Sequence, residues 1–362
     1  MPQPPASGPR INASSLRLFL ANLGLTRGLL LGFLFLLWTV AAAATSLDLR
    51  LLFSDCLVRT GMNGVLVLAL LPALRAGLGL NFGLPLGIVC GLIASVIMLD
   101  AGARGWTGLA GAMFLGVILG AGAGWLYARL LERVKGQEMM VGIYVGFSAV
   151  AGASILWLVF PVRNPELIMP LGGAGLRNTL VLTGYYGQLL DRLGAIPFGP
   201  GFIPTGLLLF WGALCGAMAL FLRTRAGLAL SASGSNPRFA RAGGIDVRAQ
   251  RSTAIVLSTA LAAAGIVVYS QSYGFVQLYK APLLMAFPTV AALLIGGATM
   301  RHATIGHVLV GTFLFQSVLT TALPLVNDLV SRGAGPALGN VPEIARLIIS
   351  NGIILYALTR KD

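Results

Sequence analysis

Within its apolar stretches this chain carries almost no charge. Runs that approach the ~20 residues needed to cross a hydrocarbon core fall at about 28–45, 57–74, 82–99, 106–128, 139–160, 203–222, 253–271, 282–299, 304–323 and 342–358. With 57% hydrophobic and 10% charged residues, 362 residues cannot coat a water-facing surface of the required size. The expected fold class is therefore an all-α polytopic membrane protein with about ten transmembrane helices (8–10). Its 48 glycines and 18 prolines suit that class. Small residues let helices approach closely, and broken helices are tolerated where neighbours satisfy the freed backbone groups.

The expected organisation is a cytoplasmic tail at 1–27, a transmembrane region at 28–358 and a cytoplasmic end at 359–362. GLLLGFLFLLWTVAAAATS also has the form of a signal peptide with a small-residue cleavage site. It reads better as an uncleaved first span, because later spans need it to set their orientation. A cytoplasmic N-terminus places Arg10, Arg17, Arg27, Arg75, Arg129, Arg133, Lys135, Arg223, Arg225, Arg238, Arg241, Arg248, Arg251, Arg301, Arg360 and Lys361 inside, sixteen of the 25 basic residues. The reverse orientation leaves nine inside, so both termini are expected in the cytoplasm. The net charge of +14 then reflects this basic bias rather than nucleic-acid binding.

That orientation leaves a long outer loop at 161–201, with Tyr185, Tyr186 and a short helix at GQLLDRL, and a shorter one at 324–341. The long loop is either plain connection or a docking surface for an extracytoplasmic partner. Cys56, Cys90 and Cys215 are scattered, without the spacing of a disulfide framework or zinc site. There is no GxxxxGK[ST], HExxH or GxSxG, so neither ATP binding through a P-loop nor hydrolytic catalysis is indicated. No metal or cofactor is expected. His302 and His307 sit at a turn and a span start. The eleven acids fall in loops or at span ends, which argues against ion-coupled secondary transport.

One polar stretch is locally well formed. GSNPRFARAGGID, Gly234 to Asp246, offers Ser235 or Asn236 as N-cap, Pro237 at the first helical position and Gly243-Gly244 as a stop. Spacing of three pairs Arg238 with Arg241 and Phe239 with Ala242. The two-turn helix either rests on anionic lipid or plugs into a cytosolic partner.

RTRAGLALSASGSNPRFARAGGIDVRAQ resembles the cytoplasmic loop of ABC importer permeases of the simple-sugar, nucleoside and branched-chain amino-acid group. The matched positions are Gly227, Ser233, Gly234, Asn236, Pro237, Ala240, Ala242, Gly244, Ile245, Asp246, Val247 and Arg248. Arg241 interrupts the usual paired alanines. The resemblance implies that Asn236, Pro237, Arg238, Phe239, Ala240, Arg241, Gly244, Ile245 and Asp246, within a coupling loop at 223–252, engage an ATPase. It also implies the partners: a cytosolic ABC ATPase subunit, a second permease that is a copy or a paralogue, and an extracytoplasmic substrate-binding protein. The chain itself would be non-catalytic and sit in lipid in a bacterial inner membrane. Its solute would be a sugar or nucleoside, with branched-chain amino acids as the alternative.

Two weaker resemblances concern the path. Leu71–Ala94 is similar to a Gly- and Asn-containing segment of nucleoside-type permeases. There Gly77, Gly79, Gly83 and Pro85 break the helix, and Asn81 and Phe82 face either a cavity or a tight surface turn. Val134–Val150 is similar to another such segment, with Glu138 as a gate, a partner contact or a helix-end carboxylate. Asn63 and Asn351, with Gln271 and Gln316, are polar residues inside apolar runs. They serve as interhelical bonds or line the path.

Overall fold

The computed structural model describes residues 48–134, 136–169, 175–299 and 302–333, with scattered positions in 32–42 and 344–352. In chain order the helices and strands are α1 (Leu49–Ala69), α2 (Leu71–Arg75), α3 (Leu84–Asp100), α4 (Gly105–Arg133), α5 (Glu138–Val159), β1 (Thr179–Val181), α6 (Leu189–Arg192), β2 (Ile196–Phe198), β3 (Gly201–Ile203), α7 (Thr205–Arg223), α8 (Arg225–Ser235), α9 (Pro237–Ala242), α10 (Val247–Tyr273), β4 (Phe275–Gln277), α11 (Ala281–Ile295) and α12 (Ile305–Gly333).

Among the described residues, six helical stretches are long and apolar enough to span a membrane: α1 with α2, α4, α5, α7, α10 and the first 18 residues of α12. Helices α3 and α11 are apolar but shorter. The last expected span and the tails at 1–27 and 359–362 lie wholly or mostly outside the described residues, as does half of the first expected span. The chain is mostly helical, as expected, with short strands besides. Two antiparallel two-stranded ladders form, β1 with β4 (Thr179 opposite Gln277) and β2 with β3 (Ile196 opposite Ile203). Three-residue strands are too short to leave an alternating pattern in sequence. The loop expected from 324 is also helical as far as Gly333, because α12 continues through Pro324.

Helix α10 is the axis of the bundle and packs against α4, α3 and α1. The contact with α4 rests on size. Gly108, Ala112, Gly116, Gly120, Gly124 and Ala128 recur every fourth residue and are all buried. A methyl group on Gly120 would lie 2.9 Å from the Thr259 carbonyl and 3.2 Å from the Ala260 Cα. Such a stripe brings backbones close enough for dispersion to hold helices that gain little from the hydrophobic effect in lipid.

The ladders and α6 gather at the end of the bundle where α10 finishes, and α8 and α9 gather at the other. Hairpin β2–β3 is tied to α1 by Ser54, whose hydroxyl donates to the Phe202 carbonyl (2.6 Å) and accepts from the Phe202 N–H (3.1 Å). Tyr185 bridges Asn164 and Glu166, while Tyr186 is fully buried and so no part of an exposed docking surface.

Candidate functional site

The expected polar helix forms as α9, and each of its sequence signals has a structural counterpart. Asn236 caps it, its side-chain oxygen accepting the Phe239 N–H at 3.1 Å. Pro237 opens the helix, where its missing N–H costs nothing. Gly244 takes φ +79°, the left-handed turn that an L side chain resists, and the Ile245 N–H returns to the Ala240 carbonyl at 2.9 Å. Asp246 then caps α10, accepting from the N–H groups of Arg248 (2.9 Å) and Ala249 (3.3 Å).

This arrangement turns Ala240 inward, where it is 1% exposed, and Phe239 outward, where it is 73% exposed. Arg238 and Arg241 are exposed beside it. An exposed aromatic ring flanked by two guanidinium groups, on a helix fixed at both ends, has the composition of an interface anchor.

The stretch before α9, read in sequence as loop, is helix α8. Thr224 caps it through the Gly227 N–H (3.3 Å), and Leu230 is buried with Ala76 and Ala254. At its far end Gly234 meets the turn after α2. A Cβ on Gly234 would lie 2.7 Å from the Gly77 nitrogen, and one on Gly77 2.8 Å from the Gly234 Cα. Gly77 also has φ +71°. Two glycines in backbone contact thus join the end of α8, just before α9, to the break between α2 and α3, a link that sequence reasoning missed. The signals were present in LRAGLG and SASGS, but only the fold pairs them.

In the break at 76–83 the stretch Leu80–Gly83 is buried in protein, whereas Gly77 is exposed and Leu78 and Gly79 are partly so. Asn81 donates from Nδ2 to the Ser258 hydroxyl at 2.8 Å and accepts the Gly83 N–H at 3.0 Å, so both ends of its amide hold the turn against α10. Ser258 lies eleven residues into α10, roughly 16 Å along its axis at 1.5 Å per residue. The break is therefore well inside the bundle, where unpaired backbone survives only if covered. Phe82 packs on Phe287 of α11 with ring centroids 6.0 Å apart.

A cavity of about 380 Å³ lies beneath the break. Gly77, Ala128, Glu132, Glu138, Arg241, Arg248, Arg251 and Ile255 are among its lining residues. Across it Arg251 of α10 pairs with Glu138 of α5 at 3.7 Å. Glu138 is also the first residue of α5, where a carboxylate complements the helix N-terminus. The remaining path candidates lie elsewhere: Asn63 bonds within α1 to the Arg59 carbonyl at 2.9 Å, and Asn351 is exposed. The five are thus spread over four places, with only Asn81 and Phe82 adjacent. No group of three or more His, Cys, Asp or Glu able to hold a metal ion occurs among the described residues.

Comparison with known proteins adds three findings. The autoinducer 2 import system permease protein LsrC of Enterobacter sp. (strain 638) is 30% identical over 189 residues. The match spans 51% of this chain, and the chain covers only about half (53%) of that relative's length. A solved metal-chelate type ABC transporter in an inward-facing conformation is 18% identical, with 91% of this chain and 99% of that one covered at a TM-score of 0.43. The family described as branched-chain amino acid transport system / permease component matches residues 17–357, and the chain belongs to it.

Proposed function

We propose that this chain is the transmembrane subunit of an ATP-driven importer and that α9 is where ATP hydrolysis in a partner subunit is felt. The observation that carries the reading is Phe239, a large ring held in solvent on a capped two-turn helix whose opposite face is buried. In this reading the end of the bundle bearing α9 faces the cytoplasm, as the excess of basic residues there requires. The shorter helices α3 and α11, with the first and last apolar runs, bring the six spans to about ten, with both termini on the cytoplasmic side of a bacterial inner membrane. The opposite end, with hairpin β2–β3, receives solute from an extracytoplasmic binding protein. A second permease, a copy or a paralogue, completes the pathway, and this chain carries out no catalysis itself.

The solute is a small polar molecule, a sugar or nucleoside. The named relative imports autoinducer 2, while the family description favours a branched-chain amino acid as the second reading. The path runs past the buried break. Asn81 fixes the turn, Phe82 with Phe287 supplies an aromatic wall, and Glu138 with Arg251 closes the cytoplasmic end. Movement of α9 reaches the break through the Gly234–Gly77 contact, so the two ends are coupled by differential contact in two states.

Replacing Phe239 by Asp tests the assignment, because a carboxylate cannot fill an apolar cleft without a desolvation penalty of several kcal/mol. The variant is expected to insert normally and to lose co-purification with the ATPase and solute uptake by at least tenfold. Wild-type recruitment would return α9 to a lipid-surface role.

A further inference from the structure

Beside the cavity at α9, and sharing Glu132 and Arg248 with it, a second hollow of about 380 Å³ lies between the last turns of α4 and the start of α10. Arg129, Glu132, Arg133 and Arg248 line it. Three guanidinium groups thus face one carboxylate. Among the described residues the sole salt bridge is Arg251 with Glu138, so these three arginines have no ion-pair partner. Converging like charges repel and favour an anion that neutralises them.

The surroundings say which kind of anion. The Arg129 guanidinium sits over the Trp125 ring at 3.5 Å. Along the same helix Phe114, Ile118, Trp125, Leu126 and Leu130 are exposed. From Phe114 to Trp125 is eleven residues, roughly 16 Å of helix at 1.5 Å per residue, comparable to one leaflet of a hydrocarbon core about 30 Å thick in all. An apolar track of that length, ending in an interfacial tryptophan and then a basic hollow, has the polarity profile of a single amphiphile. A cytosolic protein or a free phosphate would use the arginines and leave the track unused.

We propose that this hollow binds the phosphodiester headgroup of an anionic glycerophospholipid, with the acyl chains lying along the exposed face of α4. Arg129 and Arg133, one turn apart, and Arg248 from α10 hold the phosphate. Trp125 fixes the depth of the headgroup. Since Arg248 also lines the cavity next to α9, the lipid bridges the span and the segment that follows the polar helix.

Native mass spectrometry of the full chain in detergent, titrated with phosphatidylglycerol and phosphatidylcholine of matched acyl chains, tests this. Wild type is expected to hold phosphatidylglycerol at least fivefold more tightly. The preference should vanish in R129Q/R133Q/R248Q and survive in the corresponding triple lysine variant. If the triple variant does not purify as a monodisperse species, R133Q and R248Q are titrated singly, each expected to lower the preference at least twofold. Equal binding of the two lipids by wild type, or an undiminished preference in the glutamine variants, overturns the proposal. So does displacement of phosphatidylglycerol by millimolar inorganic phosphate, which would mark a free-anion site. Loss of ATPase recruitment with lipid preference intact would mark a protein-docking surface instead.

Discussion

Asp191 shows how much a single residue's setting can depend on partners far away in sequence. It lies on α6 in the segment between α5 and α7, and sequence places it among loop acids of no consequence. In the fold it is 1% exposed. One carboxylate oxygen accepts from Gln271 Nε2 at 2.9 Å, and the other is buried with no hydrogen-bond partner. Burial pushes its pKa above the ordinary 3.8, outweighing hydrogen bonds from Ser272 and Gln271 that pull it down. A raised carboxylate pKa means that the folded state binds the proton more tightly than the unfolded state does. The stabilisation is therefore fully present below about 3.8, and it is lost as pH rises through the higher folded value. Asp191→Asn cannot ionise, so thermal melts of wild type should fall more steeply than those of the variant between about pH 4 and neutrality. Parallel curves would show that Asp191 keeps an ordinary pKa. Asn81 teaches the same lesson: sequence marks it as polar within an apolar run, but only the fold shows both ends of its amide engaged by Ser258 and Gly83.

Among the elements, legibility followed how local the cause was. Helix α9 was readable because Asn236, Pro237 and Gly244 act within one nine-residue stretch, through caps that need no tertiary partner. Helix α6 at GQLLDRL was also expected, although it has no side-chain cap and its start is held by Gln271 of α10, which accepts from the Gln188 and Leu190 N–H groups. Helix α8 was not, because its burial depends on Ala76 and Ala254, which reach it only through α2 and α10. The ladders were hidden for a related reason: β1 pairs with a strand almost a hundred residues later. The joint between α8 and the α2–α3 break offers the sharpest test at this scale. The three atoms nearest a Cβ on Gly234 are backbone atoms of Arg75, Ala76 and Gly77, none of which can rotate away. Gly234→Ala should therefore cost about 1–3 kcal/mol, as overpacked contacts do. It should also reduce uptake several-fold while leaving every residue of α9 in place. Normal uptake and an unchanged melting temperature would mean that the joint gives way and carries no coupling.

At the scale of the whole molecule, burial divides the spans into two groups. The spans of α1–α2, α10 and α12 are 78%, 61% and 61% buried, whereas those of α4, α5 and α7 are only 22–28% buried. The first group forms an inner core, and the second presents its apolar surface outward. Charge supplies the direction that burial cannot. Arg129, Arg133, Arg238, Arg241, Arg248 and Arg251 crowd one end, which the positive-inside rule assigns to the cytoplasm. In that reading the exposed hairpin β2–β3 is expected to face outward. Cys56, Cys90 and Cys215 are all buried, so the native thiols should give little background to a membrane-impermeant maleimide. Ile196 is exposed on the hairpin and Ala249 is exposed near the start of α10, which makes them matched reporters at opposite ends. In cells with a permeabilised outer membrane, Ile196→Cys should label fully and Ala249→Cys only after the inner membrane is opened. The opposite pattern would invert the orientation, put α9 outside, and remove it from reach of any cytosolic ATPase.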